Sequence, residues 1–364
     1  MANVVQPIIP ITTRGRPFEG HTNRVNAVAV FPDGCRMATA SHDKTLCLWD
    51  LKGGTVLKKI KGHSGGVLAV AISGDGKLIA SGDENRELMA WHGDTGIECL
   101  TKATIGHSSQ INSLDFSPDG TALVTGSQDK TTKLWCTKTW KVQGNTISCG
   151  GRVHCVRFSP SGELVAIATD YCIEIWNPRT TECTAKFEAA INGAKNLSLV
   201  WTPDGTRLLS AGSYYDPTIR EWDTSAWGQQ AGPSWSGHNN GNIYALAVNS
   251  TGTLIASASS DAHVRLWQLS DRRTIAMFKM STSAYCVAFS MDGKHILSGG
   301  LDRKISEWAV PQEALLEARD TPKEHPSEVS SNSFPSCHRL ISYLEYPTCA
   351  QCRGYYSFNV HHPI

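Results

Sequence analysis

Four histidines of this chain each follow a glycine: Gly20-His21, Gly62-His63, Gly106-His107 and Gly237-His238. Asp43, Asp129 and Asp261 lie downstream of the first, third and fourth, with serines and threonines between. An imidazole oriented by a carboxylate beside a hydroxyl has the composition of a nucleophilic triad, in which histidine takes the hydroxyl proton. Here the set recurs at a regular spacing, whereas an active site needs one copy. The repeated histidines therefore read as structural. Paired carboxylates such as Asp83-Glu84 read as a solvated turn. The chain has no Gly-x-x-x-x-Gly-Lys-Ser/Thr, no Gly-x-Gly-x-x-Gly after a strand, no His-Glu-x-x-His and no Gly-x-Ser-x-Gly. The reading is a non-enzyme with no catalytic residue and no cofactor.

Metal chemistry has a half-site by spacing, the Cys-x-x-Cys of Cys349 and Cys352, with Cys337 upstream. Adjacent Cys337 and His338 do not easily ligate one ion, and there is no second Cys-x-x-Cys. Cys337, Cys349 and Cys352 are candidates without a complete ligand set, and no metal is assigned. The remaining cysteines lack ligand spacing and read as small core or surface residues.

The elements that must hold these residues follow from a tryptophan period. Trp49, Trp91, Trp135, Trp176, Trp222, Trp267 and Trp308 are separated by 42, 44, 41, 46, 45 and 41 residues. Asp43, Asp129, Asp170, Asp216, Asp261 and Asp302 stand six positions before their tryptophans, and Asn85 takes that place before Trp91. Such a period marks a repeat architecture whose units cannot bury a core alone. Each unit opens with an alternating apolar run, as in Val25–Val30, which reads as a half-buried strand. A tight turn follows, Phe31-Pro32-Asp33-Gly34 in the first unit. Its proline presets φ and its glycine accepts positive φ. A small-residue strand, the Asp turn, a strand ending in Trp and a shorter fourth strand complete the unit. Four locally connected strands make one propeller blade.

Aspartate in the second turn can accept from the Gly-His imidazole, the imidazole can reach a Ser or Thr hydroxyl, and that hydroxyl the indole N–H. Each partner matters, because an unpaired buried polar group costs about 1–3 kcal/mol. His21, Asp43 and Trp49, His107, Asp129 and Trp135, and His238, Asp261 and Trp267 form the three complete sets. The other repeats are expected to hold incomplete networks. This grammar, from about residue 18 to 310, resembles the WD40-repeat family of β-propellers. The Trp-Asp dipeptide itself occurs as Trp49-Asp50 and Trp222-Asp223, and the fourth, fifth and seventh repeats lack Gly-His.

The resemblance implies an all-β, seven-bladed propeller over residues 19–310. Residues 1–18 would supply the closing strand, with Ile11–Pro17 pairing against Lys304–Ala309. Residues 311–364 drop the repeat and open with EARDTPKEHPSEVSSNS, which predicts a disordered tail. Lys plus Arg total 34 and Asp plus Glu 33, so no overall field attracts nucleic acid or anionic membrane. No segment approaches 18 uninterrupted apolar residues, and the N-terminal charges fall on the wrong side of the apolar stretch for a secretory signal. An intracellular protein, cytoplasmic or nuclear, is expected.

Propellers of this family bind through the face carrying the Gly-His loops and Asp turns. On this chain the resemblance nominates Tyr215, Tyr244, Tyr285, Leu301 and Leu197, which concentrate in blades five to seven. Arg152, Lys195 and Arg24 border them, with His154 at the channel mouth. Aromatic residues flanked by arginine are enriched at interface hot spots. The expected partner is a protein, engaged as an extended peptide with an apolar anchor and an acidic or phosphorylated residue. The chain is then a scaffold, one monomeric propeller within a larger complex. The alternative is nucleic-acid or phosphoinositide binding through Arg24, Arg152 and Lys195.

Overall fold

A computed structural model describes residues 9–11, 15–94, 99–103, 106–188 and 195–317. The repeats fold into seven sheets of consecutive antiparallel strands, two of which gain a strand from the N-terminal segment, and the chain is a seven-bladed β-propeller. Blade one runs Val25–Val30, Arg36–Ser41, Thr45–Asp50 and Val56–Lys61. Its inner strand pairs Val28 with Thr39, and Thr39 pairs with Cys47 on the other side. The turn between first and second strands repeats in all blades. Gly34, Gly76, Gly120, Gly162, Gly205, Gly252 and Gly293 have φ between 67° and 75°, a left-handed conformation that a Cβ resists.

Blades are wedged together by apolar clusters that bridge neighbours. Phe31, Leu46, Val67, Ile79 and Trp91 join blades one and two. Phe18, Val25, Met37 and Trp49 meet Cys286, Leu297 and Ile305, which joins blade one to blade seven and completes the ring. Six of the seven repeat tryptophans are buried, and Trp176 is half-buried. Burial pushes the thiols of Cys47, Cys149 and Cys286 up to about 12, which suits inert packing groups.

Blade five differs from the four-strand plan. Its sheet has three strands, and the fourth is replaced by isolated bridges between Ile219 and Trp235 and between Trp222 and Gln230. Ala231 N–H still donates to Glu221 O, so the outer edge is partly paired by irregular chain.

The N-terminal pairing also departs from the expected register. Ile9–Ile11 runs parallel to the outer strand of blade six, with Ile11 opposite Phe278. The pairing with blade seven lies further along: Phe18 faces Ile305 and Glu19 faces Lys304. Gly15 N–H donates to Glu307 O at 2.8 Å, and a Cβ on Gly15 would stand 2.6 Å from that oxygen, so the approach needs glycine. The register is anchored by Phe18, fully buried with its ring edge-on to Trp49 at 5.8 Å. The apolar isoleucines carry no comparable instruction for one edge over another.

After blade seven the chain forms a short helix, Gln312–Glu317, instead of entering an irregular tail at 311. Ala314 is buried and Leu315 packs on the cluster of Phe278, Trp308 and Val310. The rest of the predicted tail, with Cys337, Cys349 and Cys352, lies outside the described residues. Among the described residues no helix is long and apolar enough to cross a membrane.

Candidate functional site

The polar networks under the face decide which side chains are left for a partner. In blade one, His21 Nδ1 lies 3.0 Å from Asp43 Oδ2, its Nε2 2.7 Å from Thr39 Oγ1, and Trp49 Nε1–H donates to Thr39 at 2.8 Å. Blade three repeats this with His107, Asp129, Thr125 and Trp135. Blade six repeats it with His238, Asp261, Ser257 and Trp267. Burial would raise these aspartates, but hydrogen bonds from the imidazoles and the turn outweigh it. The carboxyl of Asp129 is held at about 2, and that of Asp43 lower still. Burial holds the His107 and His238 imidazoles below the usual range, against the pull of their aspartates.

Blade two corrects the sequence reading. The carboxylate at its histidine comes from Asp83, two positions before Asn85, and Asp83 is fully buried, not a solvated turn residue. His63 Nε2 still meets Ser81 at 2.7 Å and Trp91 Nε1–H still donates to it at 3.2 Å.

Blade four has Gly150-Gly151 where a histidine would stand, and both polar roles are reassigned. Trp176 Nε1–H donates to Glu174 Oε2 at 3.1 Å, and Glu174 pairs with Lys186 at 2.8 Å. Asp170 is thereby released to the face. It accepts from Arg152 Nε at 3.1 Å and His154 Nε2 at 2.9 Å, with Lys195 Nζ at 3.4 Å. Burial opposes ionisation of Asp170, yet the bonds from His154 and Arg152 hold its carboxyl at about 2. Desolvation holds the half-buried His154 imidazole below the usual histidine range, which favours the neutral form, and its Nε2–H donates to the carboxylate. Two cations and one anion leave the cluster at +1. Arg152 and Lys195 are therefore partly neutralised, which the sequence reading did not foresee.

The channel mouth collects one residue per blade: Asn26, Leu68, Asn112, His154, Leu197, Tyr244 and Tyr285. The space among them, about 140 Å³, lies below the 300 Å³ or so that a small-molecule pocket needs. From the mouth a contact path runs outward over blades one, seven, six and five. Arg24 lies over the Tyr285 ring at 5.6 Å, and the rings of Tyr285 and Tyr244 are 4.9 Å apart. Asn242 Nδ2–H donates to Tyr244 OH at 3.0 Å, and its Oδ1 accepts from Tyr214 N–H at 2.7 Å. Tyr214 meets Tyr215 edge-on at 5.8 Å.

Tyr215 is 76% exposed and Tyr214 55%. Their projection has a local cause. Ser210 and Trp222, bonded in blade five, are 12 residues apart, against 10 for Thr39 and Trp49 in blade one. The longer turn lifts both tyrosines from the face. Leu301 is exposed on blade seven, its N–H donating to Ser283 O, and Leu197 lines the mouth. Tyr214 and Asn242 join the nominated residues through this contact path. The first was signalled by the extra turn length.

Seven segments, 12–50, 54–92, 98–136, 138–177, 182–223, 231–268 and 273–308, match the family described as WD40: WD domain, G-beta repeat. The chain is 25% identical over 227 residues to the U3 small nucleolar RNA-associated protein 15 homolog of Xenopus tropicalis, covering 61% of this chain and 42% of that protein. It is 23% identical over 337 residues to the nuclear distribution protein PAC1 of Arthroderma benhamiae, covering 84% and 63%. With the protein groucho of Drosophila melanogaster the identity is 22% over 240 residues, covering 65% and 31%. The chain thus spans less than two thirds of the length of each. On its seven matched repeats, the chain belongs to the WD40 family.

Proposed function

We propose that this protein is a non-enzymatic scaffold that binds an extended segment of a partner protein across the rim of blades five, six, seven and one. The observation that carries this reading is the unbroken contact path Arg24–Tyr285–Tyr244–Asn242–Tyr214–Tyr215. It offers aromatic surface with hydrogen-bonding tips, the composition of an interface hot spot. The +1 cluster around Asp170 and the Arg24 guanidinium flank it, so an acidic residue beside an apolar anchor fits. In blades one, three and six the same aspartate, histidine, hydroxyl and indole set recurs, which supports a structural task for these histidines.

The rival reading, nucleic acid or phosphoinositide on the same face, draws on Arg24, Arg152 and Lys195. One relative is named an RNA-associated protein. The ion pairs of Arg152 and Lys195 with Asp170 weigh against it, because such binding relies on uncompensated cations. The deciding experiment is affinity purification of the full chain and of Tyr244→Ala/Tyr285→Ala, followed by mass spectrometry. Partners lost from a variant that still melts cooperatively within a few degrees of the parent support the peptide site; partners retained refute it.

A further inference from the structure

We propose that blade two carries a divalent-metal site, suited to zinc, formed by His63 Nδ1, Asp83 Oδ2 and Glu87 Oε2. The inference is independent of the docking face. His63 Nδ1 stands 3.1 Å from Asp83 Oδ2 and 3.9 Å from Glu87 Oε2, and all three ligand atoms lie within 4.8 Å of one another. Their residues are all buried, with His63 8% exposed, Glu87 7% and Asp83 0%.

The other blades act as internal controls. In blades one, three and six the same ring nitrogen faces a single aspartate and is hydrogen bonded to it. In blade two it faces two carboxylates, at 3.1 and 3.9 Å, and Nδ1 is a buried polar atom without a hydrogen bond. The opposite nitrogen is already committed to Ser81 Oγ at 2.7 Å. Donation from Nε2–H to Ser81 would turn the Nδ1 lone pair toward the carboxylates, an arrangement that repels unless a cation lies between them.

Both acids are also held in place. Asp83 accepts from Gly65 N–H at 3.1 Å and Glu87 N–H at 2.7 Å, and Glu87 Oε2 accepts from Ser64 N–H at 2.8 Å. Preset carboxylates and a histidine fixed through its second nitrogen are the outer-shell arrangement of metal sites. One imidazole and two carboxylates suit zinc, with water as fourth ligand, better than the all-oxygen preference of magnesium or calcium.

The test uses the full chain carrying Cys349→Ser and Cys352→Ser, which removes the tail half-site. After chelator treatment and zinc addition, the bound metal is counted by mass spectrometry and the melting curve recorded. One zinc per chain and a Tm rise of about 5 °C are expected at saturating zinc, with no rise in magnesium. Glu87→Thr, which puts in the residue that Thr45 and Thr131 supply in blades one and three, should fold and lose the zinc. Glu87→Gln, closer in shape, serves if the threonine variant fails to fold. No stoichiometric zinc in the parent, or zinc retained in a folded Glu87 variant, overturns the proposal.

Discussion

Tyr244 and Tyr285 stack with ring centroids 4.9 Å apart and planes tilted by 37°, although they belong to neighbouring blades and are 41 residues apart. Arg24, from a third blade, lies over the Tyr285 ring. Such aromatic pairs are worth about 0.5–1.5 kcal/mol beyond their burial, and a cation over an exposed ring about as much as the lower end. Losing the pair should therefore lower stability by about 1 kcal/mol. An interface hot spot would lose more than tenfold in partner affinity. Tyr285→Phe keeps the stack and should retain partners that Tyr285→Ala loses, at nearly equal Tm.

The tryptophans are not equivalent. Trp49 Nε1–H donates to Thr39, whereas Trp308 Nε1 is buried without a hydrogen bond and its ring packs on Phe278 at 5.4 Å. Trp49→Phe leaves the hydroxyl and imidazole network short of a donor, while Trp308→Phe removes an unsatisfied one. Urea unfolding should show Trp49→Phe more destabilising than Trp308→Phe by about 1 kcal/mol or more. Equal midpoints would mean that the indole N–H contributes nothing in blade one.

Closure of the ring depends on residues 15–19. Removing residues 1–18 deletes fully buried Phe18, whose loss alone is worth about 3–5 kcal/mol, and uncovers the edge of Lys304–Ala309. Differential scanning calorimetry should show a Tm lower by several degrees. A deletion of 1–14, which keeps Gly15–Glu19, should cost less. The reverse order would make Ile9–Ile11 the determinant of closure.

Asp170 restrains the cations at the mouth. Asp170→Asn removes the charge that holds Arg152, Lys195 and His154, and raises the local charge from +1 to +2. The variant should elute from a heparin column at higher salt than the parent. An unchanged elution position would show that these side chains already face solvent freely.

Acid should unfold this propeller in two stages. His107, His154 and His238 are held below the usual histidine range by burial, so below about pH 6.5 the unfolded chain binds protons that the folded chain refuses. Stability is full above that value and falls as pH drops from 7 toward 5. Asp129 and Asp170, held at about 2, add a second loss below about pH 4, where unfolded carboxylates protonate first. Melting curves from pH 7.5 to 3.5 test this, and a Tm rising on acidification would reverse the sign.

The blade count, the turn glycines and the His–Asp–Trp sets of blades one, three and six were legible in the chain because they are local and periodic. A strand's alternation, a Pro-Asp-Gly turn and an Asp six residues before a Trp all act within one repeat. Blades two and four escaped that logic through substitution at a distance. Asp83 replaces an acid from another position in the turn, and Glu174 with Lys186 replaces an absent histidine, since any group of suitable polarity within reach satisfies a buried indole or imidazole. The compensation of Arg152 and Lys195 by Asp170 was invisible because it joins the first-strand and turn side chains of blade four with a lysine of blade five. The N-terminal register was likewise decided in three dimensions, by the cavity beside Trp49 that accepts Phe18. Period and composition determined what kind of unit repeats. Contacts between units, whose partners lie some forty residues apart, determined which charges and rings the assembled face presents.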